Sequence, residues 1–406
     1  MKTKLFALIL ALAMLLGAFS ACGKQTGKAT SSTDTTGTTA GTAGTTEPST
    51  GTTEPVKQPE ENYDGKLVFD HAMELKYAKC FSVDYYKGGY KIAKTADGTT
   101  LLIVPEGMSV PKEAPAEAIV LQQPINKLLI SSTPVTSLIN AVGALDAISL
   151  TTYDTTSWYI DDVKNALTSG KLVYIGDYKS PDYEKITAAG TTFAIFSTML
   201  TEDVAAQLKQ LKVDVMLDQS VGEDHPLARV EWAKLYGAMF NKEEQAEEVF
   251  NKQDAFIENI NKLSKLDKTV AIFYITSKGV LYARNADDYM TKMVSLAGGK
   301  YALADYGVGK TGTAKMEMEA FYDKAKDADY IIYIWSLGGK PETLADLLGR
   351  ADILKEMKAV KNGNVWCTTP DFFQISNTIG GMINDVRLML EADASTDKLT
   401  YLFKLK

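Results

Sequence analysis

The chain opens on a solid apolar block: Leu5 to Leu16 is almost unbroken, Lys2 and Lys4 precede it, and the small residues Gly17 to Ala21 follow. That layout predicts a secretory signal over 1–21, because the run is too short for a permanent spanning helix. Across 22–62 the apolar pattern disappears. This stretch has no aromatic residue and is mostly Thr, Gly, Ser and Ala. It has too little apolar area to offset chain entropy, so a disordered tether is expected, with a root-mean-square reach of about 35 Å. From 63 to 120 three strand-like runs follow one another in FSVDYYKGGYKIAKTADGTTLLIVPEG, separated by Gly88-Gly89 and Asp97-Gly98. Both dipeptides are hairpin signals, so a small β extension is expected, closed by Pro105, Pro111 and Pro115.

Beyond 121 short apolar runs alternate with amphipathic stretches. KLLIS leads into VTSLINAVGAL, with Thr133 expected as the helix N-cap and Pro134 at the first helical position. DAISLT, LVYIG, TFAIFS and VDVML read as further strands, and PDYEKITAAG and TEDVAAQLKQL as helices. The rhythm stops at a long helical region and resumes after Lys268 with TVAIFYI, DYIIYIW and NVWCTT. Asn241 followed by Glu244 reads as a capping box that restarts a helix. Val249, Phe250, Gln253, Phe256, Ile257, Ile260 and Leu263 then hold one face at helical spacing. The expectation is therefore two doubly wound α/β lobes, 121–240 and 268–406, with mainly parallel sheets. A long rigid inter-lobe helix over 241–267 joins them.

Composition narrows the function classes. The net charge is −8, and there is no basic stripe, which argues against nucleic acid. With only His71 and His225 in the chain, no multi-histidine metal site is expected. The sequence holds no Gly-x-Ser-x-Gly elbow, His-Glu-x-x-His pair or phosphate-binding loop, and no catalytic residue is expected. Cys80 and Cys367 suit either a disulfide or two separate buried thiols.

Phe19-Ser20-Ala21-Cys22 resembles the bacterial lipobox. The resemblance implies a lipid on the Cys22 thiol, an acylated (palmitate-type) N-terminus and a membrane anchor facing outside the cytoplasm. Several acyl chains, at about 0.8 kcal/mol per buried CH₂, hold durably.

Four further stretches carry a second resemblance: KLLISSTPVTSLINAVGALDAI, YGAMFNKEEQAEEVF, MVSLAGGKYAL and AVKNGNVW. In this order and spacing, over about 120–395, they resemble the iron-siderophore and vitamin B12 binding proteins of ABC importers; the 63–120 extension lies outside the common pattern. The resemblance implies a monomeric binding protein, not an enzyme. It would close two lobes on an iron or cobalt chelate, ferric siderophore first and corrinoid or haem next, and dock on a permease dimer driven by an ATPase. It also implies a docking glutamate on each lobe. The matching positions are Glu184 and, after one inserted residue, Glu319, with Glu317 as a competitor.

In open α/β sheets the ligand sits at the carboxyl ends of strands. The candidates there are Ser132 and Thr133, then Tyr153, Trp158 and Tyr159, then Thr198 and Met199, with Asp218 and Gln219 after the next strand. The second lobe offers Tyr282, Arg284, Trp335, Phe372 and Phe373. Aromatics from both lobes with an arginine would suit a large planar or aromatic chelate. Met199 with His225 is a possible axial haem pair, against the plainer reading of His225 as a loop histidine before a helix. Arg229 reads as a structural partner of Asp224 or Glu223, with a ligand carboxylate as the alternative. A surface lipoprotein binding a glycan or a protein without transport is the other function class.

Overall fold

The apolar runs become strands of three sheets. Residues 65–391 and 399–406 are described by the structure, a computed structural model. The expected signal, tether and Cys22 lipid site lie outside them. The described residues belong to one compact unit.

The extension is a five-stranded sheet in simple order: β1 (Phe69–Ala72), β2 (Phe81–Tyr86), β3 (Lys91–Thr95), β4 (Thr100–Val104) and β5 (Ile119–Gln122). The first four pair antiparallel, whereas β5 runs parallel to β4, so the extension takes in residues to 122. Its inner face is not an independent core. Phe81, Val83, Ala93, Leu101 and Ile103 pack in one cluster with the first lobe.

The first lobe holds β6 (Leu128–Ser131), α1 (Thr133–Ala141), β7 (Ile148–Thr151), α2 (Asp161–Thr168), β8 (Val173–Tyr174), α3 (Tyr183–Ala189), β9 (Phe193–Ser197), α4 (Glu202–Gln210) and β10 (Asp214–Asp218). The sheet order is β10-β9-β6-β7-β8, parallel throughout. Leu128 and Ile130 of β6 pack on one face, and Leu129 on the other beneath α3 and α4. Burial on both faces explains why these strands read as continuous apolar runs. The order reverses between β6 and β9, the switch point of a doubly wound sheet, which opens a crevice at their carboxyl ends. Ser132, not Thr133, caps α1: its hydroxyl accepts the Val135 amide at 3.5 Å.

Two helices follow, α5 (Pro226–Phe240) and α6 (Glu243–Ile260). The proposed Asn241–Glu244 capping box does not form. Asn241 sits in the left-handed region (φ 53°) and ends α5, and no side chain caps α6. The helix that crosses between lobes is therefore 243–260, shorter than 241–267. Phe250, Gln253, Ile257 and Ile260 are its buried stripe, while Leu263 lies past its end, exposed. Asn241 is held from the extension side: Lys91 Nζ donates to its Oδ1 (2.7 Å) and to Ala238 O (2.8 Å), and Gln123 bonds it twice.

The second lobe holds β11 (Thr269–Ile275), β12 (Leu281–Arg284), α7 (Tyr289–Leu296), β13 (Lys300–Tyr301), β14 (Thr313–Lys315), α8 (Met318–Ala325), β15 (Tyr330–Tyr333), α9 (Trp335–Gly338), α10 (Leu344–Leu348), α11 (Lys358–Lys361), β16 (Val365–Thr368), α12 (Ile379–Glu391) and β17 (Leu402–Lys404). Its sheet is mixed. β11, β15 and β16 run parallel at the centre, while β12, β14 and β17 pair antiparallel. Mainly parallel pairing thus holds for the first lobe only. Cys80 and Cys367 are free thiols, pushed up to about 11 and about 12 by burial. Among the described residues no helix is long and apolar enough to cross a membrane.

Candidate ligand cleft

Loops at the carboxyl ends of strands from both lobes meet over a cleft of about 470 Å³. Thr133 opens α1, Tyr153 and Tyr159 follow β7, and Trp335 and Phe373 follow β15 and β16. A second cavity of about 250 Å³ shares Thr133 and Phe373 with the first and adds Arg229, Tyr289, Phe372 and Met382. Aromatic rings from both lobes stand among small and polar residues in this wall, and each offers a large contact area at little entropic cost.

The lobes touch across the cleft. Tyr159 and Trp335 meet edge to face at 5.7 Å. Gln374 donates from Nε2 to Ser157 O (2.6 Å) and accepts from Tyr159 N (2.9 Å), and Ser137 Oγ donates to Asn377 Oδ1 at 2.7 Å.

Two residues that line these cavities, Trp335 and Arg229, and one behind them, Arg284, carry donors with no partner among the described residues. Trp335 Nε1, Arg229 Nε, and Arg284 Nε and Nη2 are buried with no partner among the described residues. Arg229 lies on the Tyr289 ring at 3.9 Å and donates from Nη2 to Val221 O at 2.9 Å. It has no carboxylate within ion-pair distance among the described residues, and burial pulls its guanidinium below the ordinary value. Asp224, one expected partner, instead reaches Lys292 at 3.9 Å, and Glu223 accepts amides of the extension. Arg284, 5% exposed, pairs with Asp288 at 3.4 Å and lies 5.2 Å from the Phe373 ring centre, beneath the floor. Burial raises Tyr289 to about 12.

The expected site residues therefore separate into two groups. Thr133, Tyr153, Tyr159, Trp335 and Phe372 line the cavities, with Arg284 behind them. Ser132 is buried as the α1 cap. Trp158 is 1% exposed, packs against Tyr153 and donates its Nε1 to Tyr153 O at 3.3 Å, so it supports the wall from behind. Thr198 and Met199 are exposed after β9 and line neither cavity. Asp218 is buried against Tyr236 OH at 2.6 Å, and burial raises its carboxyl. Tyr282 stacks on Tyr274. His225 accepts the Leu227 amide through Nδ1 (3.2 Å) and stacks on Tyr77 at 4.0 Å. One of its nitrogens and one ring face are thus already engaged, as a helix-capping histidine requires. Tyr289 and Gln374 are not among the expected ligand residues, and a ligand contact for Arg229 is the alternative reading, not the first. The cue for Arg229 is its place as a cation one turn into a largely apolar helix, where Glu231 and Lys234 are the other charges.

Glu184 stands exposed in the first turn of α3, and Glu319 in the first turn of α8. Neither makes an ion pair among the described residues. Glu317 immediately precedes α8 and pairs with Lys315 at 3.1 Å.

Two α/β lobes, one crossing helix and a cleft at the carboxyl ends of strands define a two-lobed binding protein. Residues 130–372 match the model of the periplasmic binding protein family, and the chain belongs to that family. Its members are substrate-binding proteins that work with ABC permeases and ATPases. The chain is 25% identical over 355 residues to an uncharacterized lipoprotein of Methanocaldococcus jannaschii, covering 81% of this chain and 84% of that one. Its fold is similar to that of the periplasmic heme-binding protein HutB of Vibrio cholerae, with a TM-score of 0.52 and 17% identity, over 64% of this chain and 98% of that one. It is likewise similar to the iron uptake ABC transporter substrate-binding protein PiuA of Streptococcus pneumoniae, with a TM-score of 0.51 and 18% identity, over 66% and 93%.

Proposed function

We propose that this chain is a lipid-anchored solute-binding protein of an ABC importer that captures a metal chelate between its lobes. Ferric siderophore is the first candidate, and a corrinoid or haem the next. One observation carries this reading: a cleft shared by both lobes, with aromatic rings from each, whose floor holds an arginine with no carboxylate in direct ion pair among the described residues. A largely desolvated cation with no direct ion pair favours an anion, and an anionic chelate supplies one while its organic shell stacks on Tyr153, Tyr159 and Trp335. The iron and heme proteins of similar fold support the ligand class, and the lipoprotein relative supports the anchor at Cys22.

In this account Thr133 and the Trp335 indole N–H orient polar groups of the ligand. Glu184 and Glu319 offer carboxylates at helix starts, where an arginine of a permease can bind in bidentate fashion. The lipid and the tether keep the receptor near the membrane outside the cytoplasm and raise its effective concentration at the permease. The role assigned to the protein is capture and delivery, without chemistry on the ligand.

The test is metal retention. The protein is incubated with ferric siderophores, cobalamin, cobinamide or haemin, gel-filtered and assayed for iron and cobalt by mass spectrometry. One equivalent of metal retained from one class supports the reading and names the cargo. No retention from any class overturns it, and moves binding of a glycan or protein partner ahead.

A further inference from the structure

Glu231 lies in the middle of α5 with no exposed surface, an ionisable group in a helix buried on nearly every side. Its partners come from the loop between β1 and β2. Glu231 Oε1 accepts the Lys76 amide at 2.7 Å, and Oε2 accepts those of Tyr77 and Ala78, both at 2.8 Å. Glu223, just before α5, accepts the next two amides, Lys79 and Cys80, both at 2.9 Å. Five successive backbone amides are thus spent on two carboxylates of the first lobe's side of the connector, each a charge-assisted bond.

The same loop also grips α6. The Lys76 ammonium pairs with Asp254 and reaches Glu258 at 3.3 Å, and the Tyr77 hydroxyl donates to Asp254 Oδ1 at 2.8 Å. The Tyr77 ring stacks on His225 and tilts against Phe250 of α6 at 6.1 Å, so it packs against the cores of both lobes. Lys234 of α5 adds a bond to Glu74 O (3.3 Å) and an ion pair to Glu247 of α6 (2.9 Å).

We propose that residues 73–80 are a strap that holds the two lobes at one angle. The helices α5 and α6 meet at Asn241, the natural pivot for one lobe to turn on the other. The strap spans that junction from the side, bonded to α5 through Glu231 and to α6 through Asp254. Turning α6 relative to α5 must break the Tyr77 hydroxyl bond and the Lys76 ion pair together, and although Lys76 itself is exposed, both end on Asp254, a buried carboxylate that is costly to leave without its partners. The strap lies outside the family match at 130–372. A match covering 81% of the 406 residues must begin by about residue 80, so the archaeal lipoprotein shares most of the extension behind the strap. This device does not depend on which ligand the cleft takes.

The test is the distribution of distances between nitroxides on ketone-bearing residues placed at positions 209 and 326 of the full chain, one exposed site in each lobe. Pulsed electron spin resonance should give a single narrow distance. The Lys76→Ala, Tyr77→Ala double variant should at least double its width, with Tyr77→Phe in between. A double variant as narrow as the parent overturns the proposal, as does a parent that is already broad. If the double variant fails to fold by circular dichroism, the exposed Lys76→Ala change alone decides: broadening supports the strap and an unchanged width overturns it.

Discussion

Arg229 brings a positive charge to the floor of the cleft, where among the described residues its direct contacts are a carbonyl and a tyrosine ring and its nearest carboxylates act only through space. Asp385 is its counterpart in the second lobe: a carboxyl on α12 that accepts the Tyr401 amide at 2.6 Å and that burial raises to about 6. A carboxyl whose folded pKa exceeds its unfolded value favours the fold while protonated. Its contribution is full below about pH 4 and is lost as pH rises through about 6. Replacing it by Asn should flatten the decline of the urea midpoint between those pH values, measured by circular dichroism. An unchanged slope in Asp385→Asn would place the titration elsewhere. At this scale the sequence was only partly legible. Aromatics after strand ends could be named, but Trp158 and Trp335 look alike until folding buries one and leaves the other on the cleft. Arg229 was misread because Asp224 and Glu223 are its neighbours in sequence, whereas in the fold both are engaged elsewhere.

At the scale of elements, α6 is pressed between a helix from each lobe, and glycines let it sit there. A Cβ on Gly237 of α5 would stand 2.6 Å from Ala246 Cβ, and one on Gly380 of α12 would stand 2.1 Å from Gln253 O. The second obstacle is backbone, so it yields little. Gly380→Ala should destabilise the protein by about 1–3 kcal/mol, read from denaturant unfolding; an unchanged midpoint would mean that the seam has slack. The spacing of Gly237 and Ala246 within YGAMFNKEEQAEEVF thus has a packing cause that the residues alone did not reveal. Alternation of strands and helices was readable because period 2 and period 3.6 differ over a few residues. The direction of β12, β14 and β17 was not, since a short apolar run looks the same parallel or antiparallel. The end of α5 was misplaced for a related reason: Asn serves both as an N-cap and as a left-handed C-terminal residue, and Lys91 and Gln123, over a hundred residues away, decide between them.

At the scale of the whole molecule, two lobes present one cleft and, on their outer surfaces, two exposed glutamates at helix starts. The proposed delivery step requires both. Reversing them together, Glu184→Arg with Glu319→Arg, should abolish uptake of the chelate in cells and leave its affinity for the purified protein unchanged. Normal uptake by the double variant would rule out this docking pair. The two-lobe plan was legible from the chain because its motifs are spread in order along both lobes. The strap was not, since its hold on α5 is through backbone amides, which carry no sequence signature, and its side-chain partners on α6 lie over 170 residues away.

The central claim is that the aromatic cleft takes an anionic metal chelate. Trp158, Trp232 and Trp366 are fully buried, which leaves Trp335 as the tryptophan on the cleft. Titration of intrinsic fluorescence with ferric siderophores, cobalamin, cobinamide and haemin tests the claim most directly. The account predicts saturable quenching by one class at one equivalent per chain, reduced in Trp335→Phe and shifted to about tenfold weaker affinity in Arg229→Ala, as loss of one charge-assisted bond implies. No saturation by any of them would contradict it.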